Sequence, residues 1–339
     1  MLRFHNAQYS RQHTTPKART HGPRAPWGAL ILLAIGCSPV ASGTTQDGGS
    51  TVADLSVPVS ASRCSGAATM QADLVYAPTH ARNVLDLYLP EQGASCPLLV
   101  WIHGGGWTSG DKSLAANSLA LRQAGRGYAV ASLNYRLSSD AVFPAQLNDV
   151  KAALRWLRAN AARFRIDPQR IAVAGSSAGG HLAALSGTTG GIAELEDLGQ
   201  GAAAESSRVR AVVDCFGPAS LLEMQAQQQA NGCMGGIQHD APGSPESLLI
   251  GCSAGLQACP DAARKASPVS YVSADDPPFL LGHGRRDCTV AFQQSQSLAQ
   301  ALTAAGASAR LVLNDLGGHT ETSCPPAADI DSFLDDSLR

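Results

Sequence analysis

Gly175-Ser176-Ser177-Ala178-Gly179 places a serine between two glycines at the spacing of a turn that lifts a nucleophilic hydroxyl off a strand end. A second segment, Gly251-Cys252-Ser253-Ala254-Gly255, has the same spacing. The flanks separate the two. Ser177 follows an apolar run at 171–174 and precedes Gly180-His-Leu-Ala-Ala-Leu185, a good helix start. Ser253 has only Leu248-Leu-Ile250 before it, and Cys259-Pro260 stops any helix soon after it. A serine attacks a carbonyl only when a base removes its proton and an acid orients that base. The order expected after a strand–turn–helix nucleophile is serine, acid, histidine, each at the carboxyl end of a strand.

Four histidines follow Ser177. His181 falls in the helix behind the serine and His239 in an irregular stretch. His283 ends a strand but is followed at once by the better acid candidate. His319, in Gly317-Gly318-His319 just after the apolar run 309–313, fits the base. Asp287 fits the acid because it lies just beyond the run 279–281. Asp275 and Asp276 precede that run, at the wrong end of a strand, and Asp315 stands only four residues before His319. Acyl transfer also builds negative charge on the carbonyl oxygen, which backbone N–H donors must meet. His103-Gly104-Gly105-Gly106-Trp107 directly follows the run 98–102 and offers main chain unobstructed by side chains, to act with the N–H of Ala178. A plain glycine turn would explain Gly-Gly but not its pairing with the serine turn downstream. Neither phosphate-binding glycine pattern fits this loop.

These groups need a scaffold that brings strand ends together. Short apolar runs at 98–102, 128–133, 171–174, 209–213, 279–281 and 309–313 read as parallel strands buried on both faces. Residues 84–89 alternate at period two and read as an early, edge-side strand. Between the runs, 143–164 places Leu147, Val150, Leu154 and Leu157 on one helical face, and 290–305 and 326–338 are similar. Alternation of strand and helix over some 270 residues predicts an α/β architecture, a doubly wound, mostly parallel sheet. Residues 219–262 break the rhythm and read as a small cap-like insertion.

Taken together, His103-Gly-Gly-Gly-Trp107, Asn134-Tyr135-Arg136, Gly175-Ser-Ser-Ala-Gly-Gly-His181 and the stretch Ala266-Ser-Pro268…Pro278…His283-Gly…Asp287 resemble the α/β-hydrolase esterases grouped with hormone-sensitive lipase and BD-FAE, the bifunctional feruloyl and acetyl-xylan esterases. The resemblance runs from about residue 70 to the C-terminus. It implies an α/β-hydrolase fold, with Ser177 as nucleophile, Asp287 as acid and His319 as base. It further implies Gly105, Gly106 and Ala178 as oxyanion donors, His103 bracing the glycine loop and Trp107 lining the acyl pocket, with no cofactor and no metal. The activity implied is that of a serine carboxylesterase on short acyl, acetyl or feruloyl esters, free or linked to polysaccharide. An amidase or peptidase on the same triad, like the formamidases that share the glycine loop, is the alternative. A non-catalytic hydrolase fold serving as a binding module is a third reading.

The chain has 339 residues, 44% of them hydrophobic and 15% charged, with formal net charge −2. Near-neutrality argues against nucleic-acid binding, which calls for a basic stripe. The first acid is Asp47, behind five basic residues and the ten-residue apolar run Trp27–Gly36, too short for a membrane span. We read 1–36 as a secretory signal and 37–63 as a flexible tether to a catalytic domain at 64–339. Ala34-Ile-Gly-Cys37 resembles a lipobox, which would anchor the exported protein to a membrane through lipid on Cys37. Plain cleavage at Gly36 or Gly43 is the competing reading, and a mitochondrial transit peptide fits less well. Nine cysteines less Cys37 leave eight, an even number that suits disulfides in an exported protein. No CxxC pair or His/Cys cluster suggests metal. Cys288 beside Asp287 and Cys324 near His319 suggest a bridge tying the acid loop to the base loop.

Overall fold

The computed structural model describes residues 64–339 except Met234; residues 1–63, read above as a signal with Cys37 and a tether, lie outside the described residues. Eight strands form one sheet: β1 Ser65–Val75, β2 Val84–Gln92, β3 Cys96–Ile102, β4 Ala129–Leu133, β5 Ile166–Ser176, β6 Ala211–Cys215, β7 Phe279–Gly284 and β8 Ala309–Asn314. Their spatial order is β1-β2-β4-β3-β5-β6-β7-β8. β2 runs antiparallel to both β1 and β4, and every other pairing is parallel. This is the doubly wound, mostly parallel sheet expected, and it is the α/β-hydrolase architecture.

β2, expected on the edge side of the sheet, is second from the edge. β1 covers it, and nearly every residue of β1 is exposed. Ser65-Gly-Ala-Ala-Thr-Met offers neither alternation nor an apolar run, so its pairing with β2 carries the strand rather than burial. A bridge between Cys64 and Cys96 fixes its start to the start of β3.

The described helices are α1 Leu119–Ala124, α2 Ala145–Ala159, α3 Ala161–Phe164, α4 Ala178–Thr188, α5 Met224–Ala230, α6 Pro245–Leu249, α7 Pro260–Lys265, α8 Gln293–Ala305 and α9 Ala327–Ser337. Strand alternation divides the core between the two faces of the sheet. Leu98, Val100 and Ile102 of β3 pack with Leu147, Val150 and Leu154 of α2, Leu182 and Leu185 of α4, and Leu298 and Leu302 of α8. Leu99 and Trp101 face the other way and share a layer with Val130, Val213 and, from α9, Ile330 and Leu334. Each such side chain, fully buried, contributes about 1.5–3 kcal/mol of transfer free energy. The long amphipathic stretch at 143–164 divides at Asn160, whose side-chain amide donates to the Trp156 carbonyl between α2 and α3.

Parallel strands point their carboxyl ends to one edge. The loops after β3, β5, β7 and β8, which carry His103, Ser177, Asp287 and His319, therefore emerge together. The insertion between β6 and β7 is a chain of short helices and turns, not a separate sheet or bundle.

Candidate active site

Ser177 sits between β5 and α4 with φ 55° and ψ −123°, a conformation that serine adopts only under constraint. The constraint is local: its N–H donates to the Cys215 carbonyl at the end of β6 (2.9 Å). Close packing leaves no room around it, since a Cβ on Gly179 would lie 2.1 Å from the Ile102 carbonyl. The turn therefore presents Oγ above the sheet edge, 2.9 Å from His319 Nε2. Nδ1 of the same ring is 2.7 Å from Asp287 Oδ2. A carboxylate accepts only, so Nδ1 carries the proton and Nε2 is free to accept from the serine. Phe216 lies edge-on against the His319 ring at 4.8 Å and limits its tilt.

Asp287 is fully buried, and both its oxygens are spoken for. Oδ1 accepts from the N–H groups of Thr289 (2.8 Å) and Val290 (2.9 Å). Oδ2 takes His319 Nδ1 and lies 3.3 Å from His283 Nε2. Burial pushes its pKa up, but the His283 and His319 hydrogen bonds outweigh burial and hold the carboxyl well below the usual carboxylate range. His283 itself is anchored by Ser295 Oγ (2.7 Å) and the Val290 carbonyl (2.9 Å), so it braces the acid.

The glycine loop follows β3. Gly105 has φ 105°, and a Cβ there would lie 2.3 Å from the Ser109 carbonyl oxygen. Its carbonyl accepts from the N–H groups of Thr108 and Ser109 (both 3.1 Å), which ties the loop's acceptors back into its own turn. His103 donates from Nδ1 to the Gly104 carbonyl (2.7 Å) and stacks on Tyr135 at 4.4 Å. Burial pushes the His103 pKa down to about 4, so the ring is neutral at pH 7 and brackets the loop without adding charge. Arg82 reaches its Nε2 at 3.5 Å. Tyr135 and Arg136 belong to the Asn134-Tyr135-Arg136 segment, and Arg136 grips Asp149 of α2 through Nη2 at 2.7 Å. Trp107 is buried, with its indole N–H directed at His181 Nδ1 (3.2 Å). His181 Nε2 in turn donates to the Ala266 carbonyl (2.6 Å), and burial lowers the ring's pKa to about 4.

A cavity of about 400 Å³ opens in front of Ser177. Gly105, Gly106, Trp107, Ala178 and His319 line it, so every residue singled out from the sequence is at or beside one site. Asp287 stands behind His319. Ser253 is elsewhere, on an exposed turn closed by the Cys252–Cys259 bridge. Three contributors carried no sequence signal as site residues. Phe216 follows β6, while His239 and Glu246 come from the irregular insertion and line the cavity. Asp214 on β6 is a further buried acid nearby; burial lifts its pKa to about 6 despite the Gly217 N–H.

The disulfides differ from the bridge expected between the acid and base loops. Cys324 pairs with Cys215, and Cys288 pairs with Cys233 of the insertion. The reason is the path of the base loop: after β8 it crosses back over β7, where Cys324 and Pro325 pack on Gly282, and Cys215 is the β6 residue paired with Gly282. Cys215 thus holds both partners of the central hydrogen bond, Ser177 through its carbonyl and the His319 loop through its sulfur. A Cys215→Ala/Cys324→Ala double variant is expected to lose about 4–5 kcal/mol of unfolding free energy, because the bridge spans 109 residues. Urea unfolding measures this, and an unchanged midpoint would refute it.

No group of three or more His, Cys, Asp or Glu suited to a metal ion occurs among the described residues, and no helix among them is long and apolar enough to cross a membrane.

The BD-FAE family model matches residues 85–302. Esterase LipC of Mycobacterium tuberculosis is 32% identical over 209 residues, covering 61% of this chain and 48% of LipC. Esterase LipQ of the same organism is 31% identical over 243 residues, 71% of this chain and 54% of LipQ. The chain thus spans about half the length of these curated relatives. Among solved structures, a truncated carbohydrate esterase from gut microbiota superimposes with TM-score 0.70 at 31% identity, covering 82% of this chain and 98% of that one.

Proposed function

The chain belongs to the BD-FAE family, and from that premise we propose that it is an exported serine carboxylesterase working through an acyl-enzyme. Ser177 Oγ attacks the ester carbonyl carbon while its proton passes to His319 Nε2. The carbonyl oxygen, now negative, is held by the N–H groups of Gly105, Gly106 and Ala178. Asp287 keeps His319 in the accepting tautomer and stabilises the imidazolium. His319 then protonates the alcohol oxygen as the carbon–oxygen bond breaks. Water repeats the sequence, giving its proton to His319 as it attacks the acyl group, and Ser177 leaves as the free hydroxyl. The observation that carries this reading is the pair of distances 2.9 Å and 2.7 Å on either side of the His319 ring, in a cavity walled by the glycine loop.

The cavity's charged lining is acidic, Glu246 and Glu321, with no Lys or Arg among the described lining residues. That favours a neutral ester over an anionic one. Short acyl or acetyl groups, including those carried on polysaccharide, fit this requirement. Four disulfides fit an oxidising, extracytoplasmic compartment.

A fluorophosphonate probe is expected to label the folded protein at Ser177. A p-nitrophenyl ester series, matched anilides and acetylated xylan then separate the activities, with esters turned over and anilides far slower. Anilides faster than esters would make it an amidase, and a folded protein that neither labels nor hydrolyses would be a binding module.

A further inference from the structure

Asp214 is a buried acid that the acyl-transfer scheme leaves unused. It lies next to last in β6, fully buried, and is paired with Leu281 of β7. Side chains two apart along a strand share a face, so Asp214 points the same way as Val212, into the apolar layer that also holds Leu281. Its Oδ1 accepts from the Gly217 N–H (2.9 Å), and its Oδ2 is buried with no hydrogen-bond partner among the described residues. A bare carboxyl oxygen in a core costs its desolvation, so an acid is a poor choice merely to fill space here. What it supplies is one acceptor, delivered to one N–H.

That N–H belongs to the peptide that follows Phe216. The φ of Phe216 is 48°, a conformation that a bulky side chain adopts only when its surroundings impose it. Two peptide planes flank Phe216 and set the direction of its ring. The first, between Cys215 and Phe216, is held twice: its carbonyl accepts from the Ser177 N–H (2.9 Å) and its own N–H donates to the Gly282 carbonyl (2.8 Å). The second, between Phe216 and Gly217, is held by one hydrogen bond among the described residues, the one to Asp214. The carboxyl is itself wedged in place, since a Cβ on Gly180 would lie 2.3 Å from Oδ1 and one on Gly217 2.6 Å from it. Gly180 stands in the first turn of α4, directly behind the nucleophile.

The ring so directed is buried and meets His319 with 4.8 Å between centroids. It also meets His283, the histidine that braces Asp287, at 6.4 Å. Asp287 holds His319 at Nδ1 alone, which leaves the imidazole able to swing about that bond unless something packs against its side. Proton transfer tolerates little swing, because a displacement of about 1 Å costs about 100-fold in rate.

We propose that Asp214 is a positioning residue for the base: by capturing the Gly217 N–H it fixes the Phe216 ring against His319 and so keeps Nε2 on Ser177 Oγ. The inference rests on the esterase reading, in which His319 takes the proton of the serine.

Removing the acceptor should slow the chemical step and leave ester binding alone. In Asp214→Ala, kcat on p-nitrophenyl acetate is expected to fall about 10- to 100-fold, with KM within about twofold of the native value. Asp214→Asn keeps an oxygen for Gly217 and should recover kcat to within about threefold of native. Phe216→Ala should lose about as much kcat as Asp214→Ala, and the double variant no more than Phe216→Ala, because residues that act in series are not additive. Asp214→Val, a strand former like Val212 and Val213 beside it, takes the place of alanine if the smaller residue leaves the protein unfolded. Melting curves check folding throughout. A fall in kcat of less than about fivefold overturns the proposal, as does a loss carried by KM or losses that multiply in the double variant. Asparagine as impaired as alanine overturns it too, since charge and not an acceptor would then be at work. If neither alanine nor valine at this position folds, the carboxyl serves folding and the proposal falls. Each of these outcomes leaves the esterase reading standing. A folded native protein that neither hydrolyses the ester nor takes a fluorophosphonate label overturns that reading, and the proposal with it.

Discussion

A Ser177→Ala protein is expected to fold normally and to lose about four to six orders of magnitude in kcat on p-nitrophenyl acetate, the scale of losing a nucleophile that acts as one unit with its base. Folding should survive because the strained φ of 55° is enforced by the Cys215 carbonyl and the packing of β5 on α4, not by the hydroxyl. Alanine tolerates that φ no worse than serine, and the hydroxyl's hydrogen-bond partner among the described residues is His319. His319→Ala should cost about as much, and the double variant little more than either, because a base without its nucleophile has nothing to deprotonate. Steady-state kinetics on the three variants, with melting curves alongside, measure this. Losses that multiply in the double variant would mean that Ser177 and His319 do not act together.

Asp287→Asn is expected to lower kcat by about 10⁴ with little change in the site's shape. The orientation of the new amide is dictated by two backbone donors. Thr289 and Val290 point their N–H groups at the Oδ1 position, so the amide oxygen must stay there. The amide nitrogen then faces His319 Nδ1, which can only accept from it. The ring is forced to carry its proton on Nε2, and Nε2 can no longer take one from Ser177. The substitution should also flatten the acid limb of the stability profile. In the native protein the Asp287 carboxyl titrates below its unfolded value, so its contribution is present above about pH 4 and is lost as pH falls further. Melting temperatures of both proteins from pH 7 downward reveal that difference, and parallel profiles would contradict it.

The legible part of this molecule was the part whose physics is local. Ser177 and Asp287 each follow a buried strand and His319 follows the half-buried edge strand β8, where both-face burial was expected; a run such as Leu98-Leu-Val-Trp-Ile102 announces a buried strand because both its faces are covered. Once the strands are parallel, their ends must meet. β1 was illegible for the converse reason: its residues are exposed and small, and only the partner strand makes them a strand. His239 and Glu246 were illegible because the insertion has no period from which a side chain's direction can be read. The disulfides misled because the sequence neighbours of the acid and the base, Cys288 and Cys324, reach past each other to Cys233 and Cys215. Adjacency along the chain said nothing about the base loop crossing back over Gly282 of β7 to reach Cys215.

The three bridges around the site are concentric along the chain. Cys252–Cys259 lies inside Cys233–Cys288, which lies inside Cys215–Cys324. Eight cysteines allow 105 complete pairings, so oxidation in an arbitrary order would mostly trap wrong ones. Concentric closure suggests an order that avoids this, from the innermost loop outward. Once Cys233–Cys288 has formed, the path between Cys215 and Cys324 is roughly halved, which makes the outermost closure easier by about 0.6 kcal/mol. Cys324 is synthesised after the seven other cysteines of the described residues. The bond that holds the Ser177 turn to the His319 loop therefore cannot form until both inner loops have been made, and on the esterase reading the aligned site would follow the inner bridges in time.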